Sequence, residues 1–79
     1  MNREDIVNKL TTIFRRVFND ESLIISENLT ANDVDGWDSL SHMLLITEIE
    51  KDFVIKFKLK DLNKMKKVGD MIEIVMSKL

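Results

Sequence analysis

Three stretches of the chain carry the spacing of a helix with one apolar face. Ile6, Leu10, Ile13, Phe14 and Val17 recur at intervals of four, three, one and three, the stripe that lets a helix bury one side. Asn2 stands where an N-cap belongs and Asp5 adds an acid to the first turn, which predicts a helix over residues 3 to 19. A second set, Leu40, Met43, Leu44, Ile46, Ile49 and Phe53, follows Asp38, itself placed to cap a helix over residues 39 to 52. Val68, Met71, Ile72, Val75 and Leu79 form a third stripe, predicting a helix from Val68-Gly69-Asp70 to the last residue.

The intervening segments lack that period. Residues 19 to 38 are mostly Asn, Asp, Ser, Glu and Thr, with Leu23, Ile24, Ile25, Leu29 and Val34 scattered among them. They predict a long loop whose apolar residues are tacked onto the core, and loops of such length are usually functional or mobile. Val54 to Lys60 alternates, with Ile55, Phe57 and Leu59 on one side and lysines on the other, which taken alone reads as a strand. A single strand has nothing to pair with, so the expectation is an extended connector that tucks those three side chains under the bundle. Asp61, Leu62 and Met65 are expected to add a helical turn. The whole reads as a helical bundle of three main helices with one long crossover loop, one domain over residues 1–79.

Composition narrows the classes of function. Seventy-nine residues suffice for one small core, and 44% hydrophobic with 33% charged residues fits a folded chain. The absence of cysteine excludes a disulfide framework, a thiolate metal site and a thiol nucleophile. No apolar run approaches the roughly 20 residues of a membrane span, and the first residues lack the apolar stretch of a signal peptide. The expectation is therefore no membrane insertion and a cytoplasmic location. Net charge is -2 but uneven: residues 1–50 carry four basic and ten acidic residues, residues 51–79 eight lysines and four acids. The acidic part argues against simple nucleic-acid binding, since it would repel phosphates.

The feature that carries chemistry is Asp38-Ser39-Leu40. As a bare tripeptide it is a weak signal, but a serine in the first turn of a helix points its hydroxyl at solvent. The unpaired N–H groups there favour a phosphate attached to that oxygen. Ser39 is thus well placed to carry a phosphodiester. Asp38, Ser39 and His42 include the residue types of a hydrolase triad, yet side chains on one outward-facing helical turn cannot line up as acid, base and nucleophile. His42 is expected to face solvent. Trp37, the only tryptophan, either packs against the loop or stays partly exposed beside Ser39.

Taken in order, the first amphipathic helix, the acidic loop, Asp35-Gly36-Trp37-Asp38-Ser39-Leu40, Phe53 to Ile55 and Val68-Gly69-Asp70 resemble an acyl carrier protein over essentially the whole chain. The resemblance implies an all-α, acyl-carrier-like four-helix bundle with a short third helix. It also implies that Ser39 receives 4'-phosphopantetheine from coenzyme A through a Mg-dependent phosphopantetheinyl transferase. An acyl group would then ride as a thioester on the arm's thiol, so that a protein without cysteine obtains its thiol from a cofactor. Asp38 would lie by the attachment site and meet the transferase, and Leu40 would contribute to the apolar surface read by partner enzymes. The chain would act as a monomer with no catalysis of its own, served by an acyl- or aminoacyl-loading enzyme and by downstream transferases or synthases.

Departures from the family pattern bear on its pathway. Fatty-acid carriers have carboxylates soon after Asp-Ser-Leu, where this chain has Ser41, His42, Met43 and Leu44. Lys67 stands before Val68 where many relatives have a threonine cap, which weakens the predicted start of the last helix. The expected role is a carrier in fatty-acid, polyketide or other specialised biosynthesis, and the less acidic second helix inclines the reading toward a specialised carrier of a secondary-metabolite, cell-surface-glycan or aminoacyl pathway over the housekeeping fatty-acid carrier. A standalone aminoacyl or peptidyl carrier is the alternative, and a small helical domain binding nucleic acid through Lys56, Lys58, Lys60, Lys64, Lys66 and Lys67 a remote one. Met43, Met65, Met71 and Met76 are read mainly as core filling.

Overall fold

Asn2 opens the first helix as its position predicts. In the computed structural model, which describes residues 1–79, the Asp5 N–H donates to Asn2 Oδ1 at 2.8 Å, and α1 runs Arg3–Phe18. Asn19 closes it in the left-handed conformation at φ 52°, which asparagine tolerates better than most residues. The remaining helices are α2 (Ser39–Phe53), α3 (Leu59–Lys64) and α4 (Val68–Lys78). This is the all-helical, four-helix arrangement expected, with α3 the short member. Ala31–Asp33 adds one 3₁₀ turn inside the long loop.

The core lies between α1, α2 and α4. Ile6, Leu10, Ile13 and Phe14 from α1 meet Leu45, Ile49 and Phe53 from α2 and Val68, Met71, Ile72 and Val75 from α4. Of the loop's scattered apolar residues, Ile25 and Val34 are buried in this core while Leu23 and Leu29 pack partly against it. Ile24 is exposed. Full burial of each such side chain stabilises the fold by about 1.5–3 kcal/mol, which is how a loop without regular structure is held down. Of the four methionines read as core filling, Met71 alone is core; Met65 is half-buried and Met43 and Met76 are exposed.

Two sequence expectations need correction. The apolar stripe of α2 turns inward through Leu45, Ile46, Ile49 and Phe53, and leaves Leu40, Met43 and Leu44 outside. The second correction concerns residues 54 to 60. Val54 ends α2 at φ 56°, Ile55 is buried and Phe57 half-buried in an extended connector, but Leu59 is 74% exposed. Alternation holds only while the backbone is extended; at Leu59 the chain enters α3, and its side chain rotates away from the core.

The start of α4 shows how a helix begins without a capping hydroxyl. Asp70, in its third position, accepts from the N–H groups of Lys67 and Lys66 at 3.1 and 3.0 Å. The N–H groups of Val68 and Gly69 donate across the fold to the carbonyls of Leu29 and Glu27, at 3.0 and 2.8 Å. A Cβ on Gly69 would stand 3.0 Å from that Glu27 oxygen, so glycine permits the approach. Arg3 completes this corner by pairing with both Glu27 and Glu73.

Candidate functional site

Gly36 and Asp38 fix where Ser39 sits. Gly36 takes φ 86°, a left-handed turn that suits glycine. From there the chain enters α2 through a reciprocal cap. The Ser41 N–H donates to Asp38 Oδ1 at 2.9 Å while the Asp38 N–H donates to Ser41 Oγ at 2.8 Å, the arrangement called a capping box. The Ser41 hydroxyl also donates to the Gly36 carbonyl at 2.6 Å. The Ser41 N–H holds the Asp38 carboxyl below the usual carboxylate range.

Ser39 itself is left uncommitted. It is the first residue of α2, it is exposed, and neither its hydroxyl nor its N–H is hydrogen-bonded within the chain. Capping is done by its neighbours, so the serine that a cap argument alone would have engaged is the one available. Leu40 stands beside it at 83% exposure, on the outside of the helix as a recognition role requires. Asp38, Ser39 and Leu40 are therefore brought together at one exposed helix start.

Trp37 and His42 form the wall next to Ser39. Trp37 is buried, 9% exposed, with its ring edge-on to Phe14 at 5.3 Å and tilted against Phe18 at 5.8 Å. Its Nε1–H donates to His42 Nδ1 at 3.0 Å. The two rings lie within 15° of parallel with centroids 6.0 Å apart, too far for face-to-face stacking and suited to a hydrogen bond between ring edges. His42 is accordingly half-buried and engaged, in place of the solvent-facing residue expected, and loss of solvent lowers its pKa below 6.5. A signal was present in the sequence: a buried indole needs an acceptor, and His42 lies five residues on.

An open cleft of about 540 Å³ runs past this wall, lined by Ala31, Trp37, Asp38, Ser39, His42, Met43 and Met65. Nothing here assembles a hydrolase. The Asp38 carboxylate accepts from Ser41 and His42 Nδ1 accepts from Trp37, so neither is joined to the other or to Ser39. No group of three or more His, Cys, Asp or Glu residues is placed to hold a metal ion. No helix is long and apolar enough to cross a membrane.

Comparison with known proteins bears on this arrangement. The chain is similar to the solution NMR structure of a holo acyl carrier protein from Geobacter metallireducens. The two share 49% sequence identity and a TM-score of 0.87, over 91% of this chain and 83% of that one. No protein-family model matches the chain, and no curated protein does.

Proposed function

This chain belongs to the acyl carrier protein family, and from that premise we propose that it carries acyl groups as thioesters on 4'-phosphopantetheine attached to Ser39. The observation that supports this most is the unengaged hydroxyl of Ser39 at the first turn of α2, between a capping Asp38 and an exposed Leu40. The unpaired N–H groups and positive end of a helix favour a phosphate there. The arm, when attached, supplies the thiol that this sequence lacks. The protein's own share is placement: Asp38 and Ser41 fix the helix start, Gly36 turns the chain into it, and Trp37 anchors it to α1.

We place the carrier in a specialised pathway on the charge of its outer α2 face. Leu40, Met43, Leu44, Thr47 and Lys51 are all exposed there, with no acid among them. Glu48 pairs with Arg16 at 3.6 Å and Glu50 accepts from the Phe57 N–H at 2.8 Å. That leaves Asp35 and Asp38 as the exposed acids closest in sequence to Ser39. A partner relying on a broad basic patch finds little to grip, since charge complementarity governs encounter. The partners are a phosphopantetheinyl transferase, a loading enzyme, and the transferases or synthases that draw on the cargo.

Intact mass after incubation with coenzyme A, Mg and a promiscuous phosphopantetheinyl transferase tests the reading. The wild type gains one phosphopantetheine and Ser39→Ala gains none. Equal gain in both would move the attachment elsewhere, and no gain with a panel of active transferases would defeat the proposal. Loading of the modified protein by an adenylation-type ligase in preference to a malonyl transferase would favour an aminoacyl cargo.

A further inference from the structure

His42 has one ring nitrogen occupied and one directed elsewhere. An indole Nε1–H can only donate, so the Nδ1 that receives it from Trp37 at 3.0 Å carries no proton. A neutral imidazole then carries its proton on Nε2, which makes it a donor. No hydrogen bond within the chain engages that Nε2, and no buried side-chain nitrogen lacks a partner, so Nε2 is accessible.

The helix sets where this donor lies. Side chains of an α-helix lean back over the turn preceding them, so His42 covers the turn that begins at Ser39. Residues three apart have Cβ atoms about 5–6 Å from each other, within reach of an imidazole on one and a phosphate on the other. Ser39 and His42 line the same cleft. The carboxylate of Asp38, in the same turn, is already held by the Ser41 N–H and makes no bond to the ring.

Resting on the reading of Ser39 as the attachment residue, we infer that His42 positions the phosphodiester there, with Nε2–H donating to a phosphate oxygen and Trp37 holding the ring in the tautomer that can donate. A neutral donor suits the task. It fixes the start of the arm against the Trp37 wall without adding a fixed positive charge to the face that partners read, and a hydrogen bond to an anion is stronger than one between neutral groups. His42 is a positioning residue only; it transfers no proton.

The test compares the apo protein with the phosphopantetheinylated protein, the latter first verified by intact mass. Failure to gain mass would count against the attachment reading; the measurements that follow are made only on protein that has gained it. Imidazole nitrogen NMR near pH 7.5 should show the Nε2–H tautomer of His42 in both forms, with its Nε2 resonance displaced on modification and its Nδ1 resonance nearly fixed. In phosphorus NMR the His42→Leu variant should displace the phosphodiester resonance, and His42→Gln, which retains a donor, should return it part of the way. Trp37→Phe should release the ring into both tautomers. An Nε2 resonance unchanged by modification, or a phosphorus resonance identical in wild type and His42→Leu, would overturn the inference. The wild-type nitrogen comparison decides the matter even if a variant folds poorly.

Discussion

At the first turn of α4 the N–H groups of Val68 and Gly69 reach carbonyls of the long loop at 3.0 and 2.8 Å, whereas at the first turn of α2 the N–H of Ser39 reaches nothing within the chain. Both helices begin with an acid accepting backbone N–H groups, Asp38 at the cap of α2 and Asp70 three residues into α4. The positive end of each is therefore equally available in principle. In α4 it is consumed by the fold, stapling residues 27 and 29 to the core and thereby holding the loop that leads to Ser39. In α2 the Asp38 carboxylate takes the Ser41 N–H and the Ser39 N–H is left open. A binding site at a helix start depends on what the rest of the chain leaves undone there as much as on the helix itself.

The α4 start is most sensitive at Gly69. Gly69→Val places branched carbons against the Glu27 carbonyl, already 3.0 Å from an added Cβ. Overpacking of this kind costs about 1–3 kcal/mol, and for a domain of this size each kcal/mol lowers Tm by about 4–8 °C. Thermal unfolding followed by circular dichroism reads the loss, and modification of Ser39 below the transition should persist. Next come the two acids. Asp38→Ala and Asp70→Ala should each cost about 1 kcal/mol, the usual worth of a cap, but only Asp38→Ala should also slow phosphopantetheine transfer. Equal transfer rates would show that Asp38 acts on fold alone.

The smallest effect is set by pH. The folded pKa of His42 lies below its unfolded value near 6.5 because burial disfavours the charged ring. Well above pH 6.5 the ring is neutral in both states and stability is unaffected. As pH falls below 6.5 the unfolded chain takes up the proton first, so stability declines until the folded pKa is passed and then levels off. The indole N–H resonance of Trp37 should shift over that lower interval, because protonation of Nδ1 removes its acceptor. An indole resonance that stays fixed while the carbon-bound ring protons of His42 report its protonation would mean that the hydrogen bond does not govern the ring.

Local features of the fold were legible in the chain and distant ones were not. Asn2 and Asp38 cap helices where their positions predict, and α1 and α2 end within a residue of the expected bounds. Asp38-Ser39-Leu40 pointed to the exposed helix start directly. The start of α4 looked doubtful because Lys67 cannot cap, although Asp70 already held the compensating acid in local sequence. Its other supports, Leu29 and Glu27, are some forty residues away, and no periodicity reports a partner at that separation. Leu59 was misplaced because alternation does not announce where an extended segment becomes helical. The outward turn of Leu40, Met43 and Leu44 was hidden for a related reason: α2 is apolar on both sides, so its stripe alone does not choose which side α1 covers.

Trp37 lies two residues before Ser39, hydrogen-bonded to a ring in the same cleft, and the chain has no other tryptophan and no tyrosine. At excitation wavelengths that phenylalanine does not absorb, all of the chain's fluorescence therefore originates beside the proposed attachment point. The carrier is supplied with an intrinsic optical probe in the wall of the Ser39 cleft, placed to report arrival of the arm without any label on protein or substrate.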